Sequence, residues 1–266
     1  MLNREERLPI LAHLEELRKR VLYSVIALAI GFFVSFQYSE YLLSWMQIPL
    51  TLVLKFQGAW PYVYATHAES PTRLVFLAPA EAFWMYMKIA FVAGIFFSLP
   101  VILTQIWLFV APGLLPRERR YALPFVVLST MMFVLGALFC QYVILPFAVR
   151  FLLTYQTKDL TPMISVGNYV DFCSKFLLAF GLVFELPLVI TLLSKMGLVT
   201  PQFLSRHRKY AVLLSFIAAA LLTPTPDVFN QLLMAVPILV LYEVGIIMAR
   251  LVGRKKALPA PEPEGE

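Results

Sequence analysis

Six stretches of this chain run almost without charge, and their lengths set its architecture. Residues 21–37, 83–107, 121–147, 169–194, 210–223 and 228–249 read as membrane-spanning helices. A hydrocarbon core of roughly 30 Å needs about 20 apolar residues per helix. Val21 to Gln37 and Ile89 to Val110 are uncharged, and Tyr121 to Val149 holds no charge in 29 residues. Phe176 to Ser194 carries only Glu185, and Val228 to Ala249 only Glu243. The fifth stretch is short, fourteen residues from Tyr210 to Thr223. At about 1.5 Å of rise per residue it covers roughly 21 Å, less than the core it has to cross.

The connections differ in kind. Tyr38 to Glu81 is long and amphipathic, with Tyr41-Leu42-Leu43 and Leu50 to Phe56 suited to lie flat at the membrane interface. The segment from Arg150 to Asn168 is moderate, and Thr223 to Asp227 (TPTPD) is only a turn. The end of the chain, ALPAPEPEGE, is rich in proline and glutamate and is expected to be disordered. The pattern predicts an all-α integral membrane protein. Residues 1–253 form a single six-span domain and residues 254–266 a disordered cytoplasmic tail.

Composition narrows the class. Of 266 residues, 60% are hydrophobic and 14% charged, against about 25% charged in an ordinary soluble domain. So few charges do not cover the surface of so apolar a body in water. The first span does not read as a cleaved signal, because its leader carries both signs and no small-residue cleavage site follows. Basic residues set the orientation. Sixteen lie in the leader, the 111–120 loop, the 195–209 connection and the region from Arg250 on, against four (Lys55, Arg73, Arg150 and Lys158) in the other connections. Both termini are therefore expected in the cytoplasm. The same dispersal accounts for the net charge of +6 without nucleic acid.

Little covalent chemistry is available. Cys140 and Cys173 form no CxxC and read as buried apolar thiols. There is no nucleotide loop, nucleophile–base pair or metal-ligand cluster, so neither an enzyme nor a metal or cofactor protein is expected. The costly residues are the polar ones inside spans. Glu185 stands in Leu182-Val183-Phe184-Glu185-Leu186-Pro187. A carboxylate there faces a cavity or a partner, or is a neutral acid hydrogen-bonded within the bundle. Pro187 removes a backbone donor close by. Glu243 lies near the cytoplasmic end, within reach of water. Asp171 and Lys175 are spaced for a local ion pair.

In the leader, Ile10, Leu11, Leu14, Leu17 and Val21 recur at three- and four-residue spacing, which predicts a helix with one apolar stripe. Glu15 and Lys19, and Glu16 and Arg20, are i,i+4 pairs in the favourable order. The loop Ala111 to Arg120 (APGLLPRERR) again sets one acid among bases.

Four motifs in order resemble the TatC family, the multispanning receptor subunit of the twin-arginine protein translocase. They are HLEELRKR (13–20), PVILTQIWLFVAPGLLPRERR (100–120), AFGLVFELP (179–187) and TPTPDVF (223–229) followed by Gln231. The resemblance runs from about Leu11 to Arg250. It implies a cupped arrangement of six helices with shortened fifth and sixth spans in the cytoplasmic (inner) membrane. It further implies binding of twin-arginine signal peptides on folded cargo, work with single-span TatA and TatB type subunits, self-association in a larger complex, and transport driven by the proton gradient. Glu118 matches the family's signal-binding loop acid and Glu16 its leader acid, with Glu15 a second acid beside it. Arg18, Gln105, Phe109 and Leu114 align around that site. Glu185 matches the fourth-span acid, Pro49 a proline of the first outside loop, and Thr223 and Gln231 polar positions facing partner helices. A carboxylate accepts a guanidinium as a two-pronged fork, which lysine does not offer.

A second reading from the residues alone is a solute or ion transporter with Glu185 as proton relay. The shortage of other intramembrane polar residues and the absence of a visible repeat weigh against it.

Overall fold

The computed structural model describes residues 4–56, 63–67, 74–110, 122–154, 163–223 and 227–252. The leader and first span form one helix, α1 (Arg4–Gln37), followed by α2 (Ser39–Met46) and α3 (Ile48–Thr51). Three strands come next, β1 (Leu52–Phe56), β2 (Val63–His67) and β3 (Leu74–Val75). Then follow α4 (Glu81–Val110), α5 (Ala122–Phe139), a π-helical turn (Cys140–Ile144) and α6 (Leu145–Thr154). After β4 (Ile164–Ser165) come α7 (Val166–Phe184), α8 (Leu186–Lys195), α9 (Pro201–Arg206), α10 (Arg208–Leu222) and α11 (Val228–Val252).

Five stretches among the described residues are long and apolar enough to cross a membrane: Leu14–Gln37, Glu81–Phe109, Leu123–Thr154, Val166–Lys195 and Val228–Leu251. Helix α10, at 15 residues, is shorter than these. Apolar side chains also cover the outside of the bundle; on α1, Ile30 is 61% and Phe33 69% exposed. Such a surface is at home against lipid or partner helices, not water.

Without a hydrophobic drive between helices in lipid, close packing has to come from small residues. A Cβ on Gly31 of α1 would lie 2.7 Å from the carbonyl oxygen of Gly94 on α4, so these two backbones touch. A Cβ on Gly136 of α5 would lie 2.5 Å from the Phe180 carbonyl oxygen of α7. The best-buried core gathers around α7, where Phe176, Phe180 and Cys173 meet Cys140, Leu145, Ile89 and Met234. Both cysteines are free and buried, as expected.

Two expectations are corrected. The chain is not purely helical. β1 and β2 pair antiparallel, from Leu52 opposite His67 to Phe56 opposite Val63, and β3 pairs parallel with β4. Leu50 to Phe56, read only as a stretch suited to lie flat at the interface, is mostly strand; so short an apolar run does not distinguish the helical from the strand period. The fourth span opens locally near Pro187, in keeping with the donor that proline removes: a turn at Glu185 separates α7 from α8, and Pro187 lies in the first turn of the new helix. Asp171 pairs not with Lys175 but with Lys88 of α4, whose Nζ lies 2.7 Å and 2.8 Å from its two oxygens. The cross-helix neighbour is invisible to sequence spacing.

Candidate functional site

At the end of the bundle where the leader enters α1, one acid and one guanidinium share a face. Arg20 donates from Nη2 to Glu16 Oε1 at 3.1 Å and from Nη1 to Gln105 Oε1 of α4 at 3.3 Å. Glu16 and Arg20 are about one turn apart, which brings their side chains together. Arg18, about 200° around the helix from Glu16, is exposed and makes no hydrogen bond or ion pair among the described residues. The structure thus joins Glu16 and Gln105 through Arg20 and leaves Arg18 aside. Glu15 and Lys19 form an exposed pair at 3.5 Å.

Beneath the cluster, α1 and α4 enclose an apolar groove of about 230 Å³, lined by Leu17, Val21, Ile102 and Ile106 and reaching Phe109. Predicted residues Leu114 and Glu118 lie outside the described residues. A half-buried carboxylate above an apolar trough suits a ligand with a guanidinium followed by apolar side chains.

Elsewhere the predicted residues are placed as follows. Glu185, 8% exposed, accepts a hydrogen bond from the Ser129 hydroxyl of α5, while its Oε1 has no partner among the described residues. Thr223 donates to the Ala219 carbonyl at 2.8 Å, and the Gln231 amide donates to the Phe216 carbonyl at 3.1 Å. Both are therefore already engaged within α10 and α11. Beside them a groove of about 640 Å³, lined by Leu182, Leu186, Leu214, Leu222 and Ile238, runs along α10. Glu243 is half-exposed and forked by Arg208 at 2.7 Å and 2.8 Å.

Pro49 is buried at the start of α3. The last two carbonyls of α2 take side-chain donors there: Gln141 Nε2 to Trp45 O at 2.7 Å and the Tyr169 hydroxyl to Met46 O at 2.6 Å. At the same end Glu81 accepts from the Ser165 hydroxyl and from the Gly167 N–H at 2.8 Å, joining α4 to the start of α7. Sequence reading missed Glu81, Gln141 and Tyr169. A polar residue within a charge-free stretch was a usable signal for Gln141; Glu81 gave none. Among the described residues no group of His, Cys, Asp and Glu is able to hold a metal ion.

These features define a helical multi-pass membrane protein with a carboxylate–guanidinium cluster at one end and a buried acid midway. Its relatives are unambiguous. The family profile of TatC, Sec-independent protein translocase protein (TatC), matches residues 12–237. The TatC protein of Desulforapulum autotrophicum is 39% identical over 96% of this chain and 89% of its own length. That of Carboxydothermus hydrogenoformans is 42% identical over 92% and 93%. A crystal structure titled as the twin-arginine translocase receptor TatC superposes with a TM-score of 0.75 at 36% identity, covering 91% of this chain and 100% of that one. The chain belongs to the TatC family. It is a core component of the twin-arginine translocase, a transport protein and not an enzyme.

Proposed function

We propose that this chain is the signal receptor of its translocase, binding twin-arginine signal peptides of folded cargo through Glu16 and Glu118. The observation that carries the reading is the Glu16–Arg20–Gln105 cluster above the apolar groove that ends at Phe109. One arginine of the signal forks onto Glu16, the other onto Glu118, and apolar residues after them enter the groove. Arg18, on the face of α1 away from Glu16, contacts a neighbouring part of the peptide, and Leu114 belongs to the same signal-binding set.

The membrane arrangement belongs to the same proposal. Residues 1–253 form one domain of six spans in the cytoplasmic membrane, α10 being the short fifth, with both termini in the cytoplasm. The asymmetry of basic residues supports this orientation. A span of about 22 Å thins the bilayer or exposes its edge to partner helices. TatA and TatB type subunits dock there against the groove along α10, using the remaining acceptor capacity of Thr223 and Gln231. Several copies assemble, and the proton gradient drives transport with Glu185 in the helix break. Pro49 holds the outer cap. The transporter alternative has no support from the relatives, which are protein translocases.

The test is binding of a twin-arginine peptide, against a twin-lysine control, to the protein in lipid nanodiscs. Glu118→Ala and Glu16→Ala each weaken the arginine peptide. A lost charge-assisted bond is worth about 1.5–3 kcal/mol, the lower end applying to groups near water. Unchanged affinity in the correctly inserted double variant refutes the assignment.

A further inference from the structure

We infer that Arg20 is a resident stand-in for the incoming guanidinium: in the empty receptor it occupies Glu16, and Gln105 is the seat to which it withdraws when a signal binds. The inference rests on the reading of Glu16 as a signal acid. Three observations carry it.

First, the grip of Arg20 on Glu16 is weak for an arginine. It is a single contact at 3.1 Å to Oε1, whereas Arg208 forks both oxygens of Glu243 at 2.7 Å and 2.8 Å. Strong guanidinium–carboxylate pairs are two-pronged and near 2.7–2.9 Å. Second, the guanidinium is shared between an acid and a neutral amide on different helices, and its Nε is buried with no acceptor among the described residues. A group so incompletely satisfied loses little when it moves. Third, both acceptors already lie within reach of the one guanidinium, Glu16 Oε1 at 3.1 Å and Gln105 Oε1 at 3.3 Å. The exchange therefore needs rotation of one side chain and no helix movement.

The consequence is a threshold for specificity. A ligand guanidinium that forks Glu16 outcompetes the single contact of Arg20, and like-charge repulsion drives Arg20 onto Gln105, an acceptor without charge. An ammonium, offering no planar fork, displaces Arg20 less well. Arg20 thus sets the affinity that any signal has to exceed, and the ammonium signal, lacking the fork, is the one that falls short of it.

Nanodisc binding of twin-arginine and twin-lysine peptides tests this with Arg20→Gln, Arg20→Lys, Gln105→Leu and Glu16→Gln. Freeing Glu16 by Arg20→Gln tightens the arginine peptide about three- to fivefold, the scale of a half-exposed ion pair. It tightens the lysine peptide by the same factor, because the cost of displacing Arg20 is the same whichever cation displaces it. Arg20→Lys falls between Arg20→Gln and the native protein, and it also serves as the conservative variant should Arg20→Gln fold poorly. Gln105→Leu weakens arginine binding, and this effect disappears in the Gln105→Leu, Arg20→Gln double variant. If Glu16→Gln binds like the native protein, the reading of Glu16 fails and the inference with it. If Glu16→Gln weakens binding while Arg20→Gln also weakens it or leaves it unchanged, Arg20 merely orients Glu16 and the inference alone is overturned.

Discussion

Tyr169 and Gln141 hold the same short helix from two neighbours, yet their removal has unequal cost. The Tyr169 hydroxyl is buried and donates to the Met46 carbonyl at 2.6 Å. Tyr169→Phe keeps the ring in place and leaves that carbonyl without its donor. An unsatisfied buried acceptor costs about 1–3 kcal/mol. Gln141 is fully buried and donates from Nε2 to the Trp45 carbonyl at 2.7 Å, but its own Oε1 has no partner among the described residues. Gln141→Leu leaves the Trp45 carbonyl its backbone N–H donor at the end of α2 and removes a side-chain acceptor that has no partner among the described residues, so its cost is small, about 0–1 kcal/mol. Amide hydrogen exchange across residues 39–51, followed by mass spectrometry in nanodiscs, reads the local opening of α2 and α3. Tyr169→Phe is expected to speed exchange about 5- to 160-fold and Gln141→Leu less than about fivefold. A Gln141→Leu effect equal to or larger than that of Tyr169→Phe refutes the accounting, as does no change in either.

Single cysteines at Met163 and Gln202, both exposed positions, are expected to react with impermeant reagent from outside and inside respectively, over a low background from buried Cys140 and Cys173; the reverse pattern overturns the orientation. Glu185→Gln keeps a polar partner for Ser129 and a native thermal unfolding midpoint, whereas Glu185→Leu strands that hydroxyl at about 1–3 kcal/mol. A Leu variant of native stability removes the structural role, and a Gln variant that is stable but transports nothing marks a titrating one. Three or four leucines inserted before Thr223 lengthen α10 past the mismatch and are expected to abolish partner crosslinks and transport while insertion is kept; undiminished transport means the short helix carries no function.

The helical framework was legible because charge-free runs of this length have few outcomes in a chain. The break at Glu185 was half legible: Pro187 announced a disturbance, and the acid marked its place. The strands were not, since their pairing joins residues that local pattern treats separately, Leu74 with Ile164 above all. At the site, i,i+4 spacing revealed Glu16 with Arg20, but nothing in the sequence said that Gln105, eighty-five positions on, accepts from the same guanidinium. Arg18 illustrates the converse. Alignment with a motif carried it into the site, whereas the turn of the helix sets it on the face away from Glu16.

The Gly31–Gly94 crossing makes a lever of the α1–α4 pair. Glu16 lies fifteen residues from its pivot, an arm of about 22 Å at 1.5 Å per residue. A change of about 5° in the crossing angle sweeps the carboxylate through roughly 2 Å, enough to make or break its hydrogen bonds. Lipid-facing α1 is free to be tilted by whatever leans on it, so a shift in bilayer thickness or a docked helix reaches the acid as a displacement. The two glycines, far from any ligand, set the gain of that transmission.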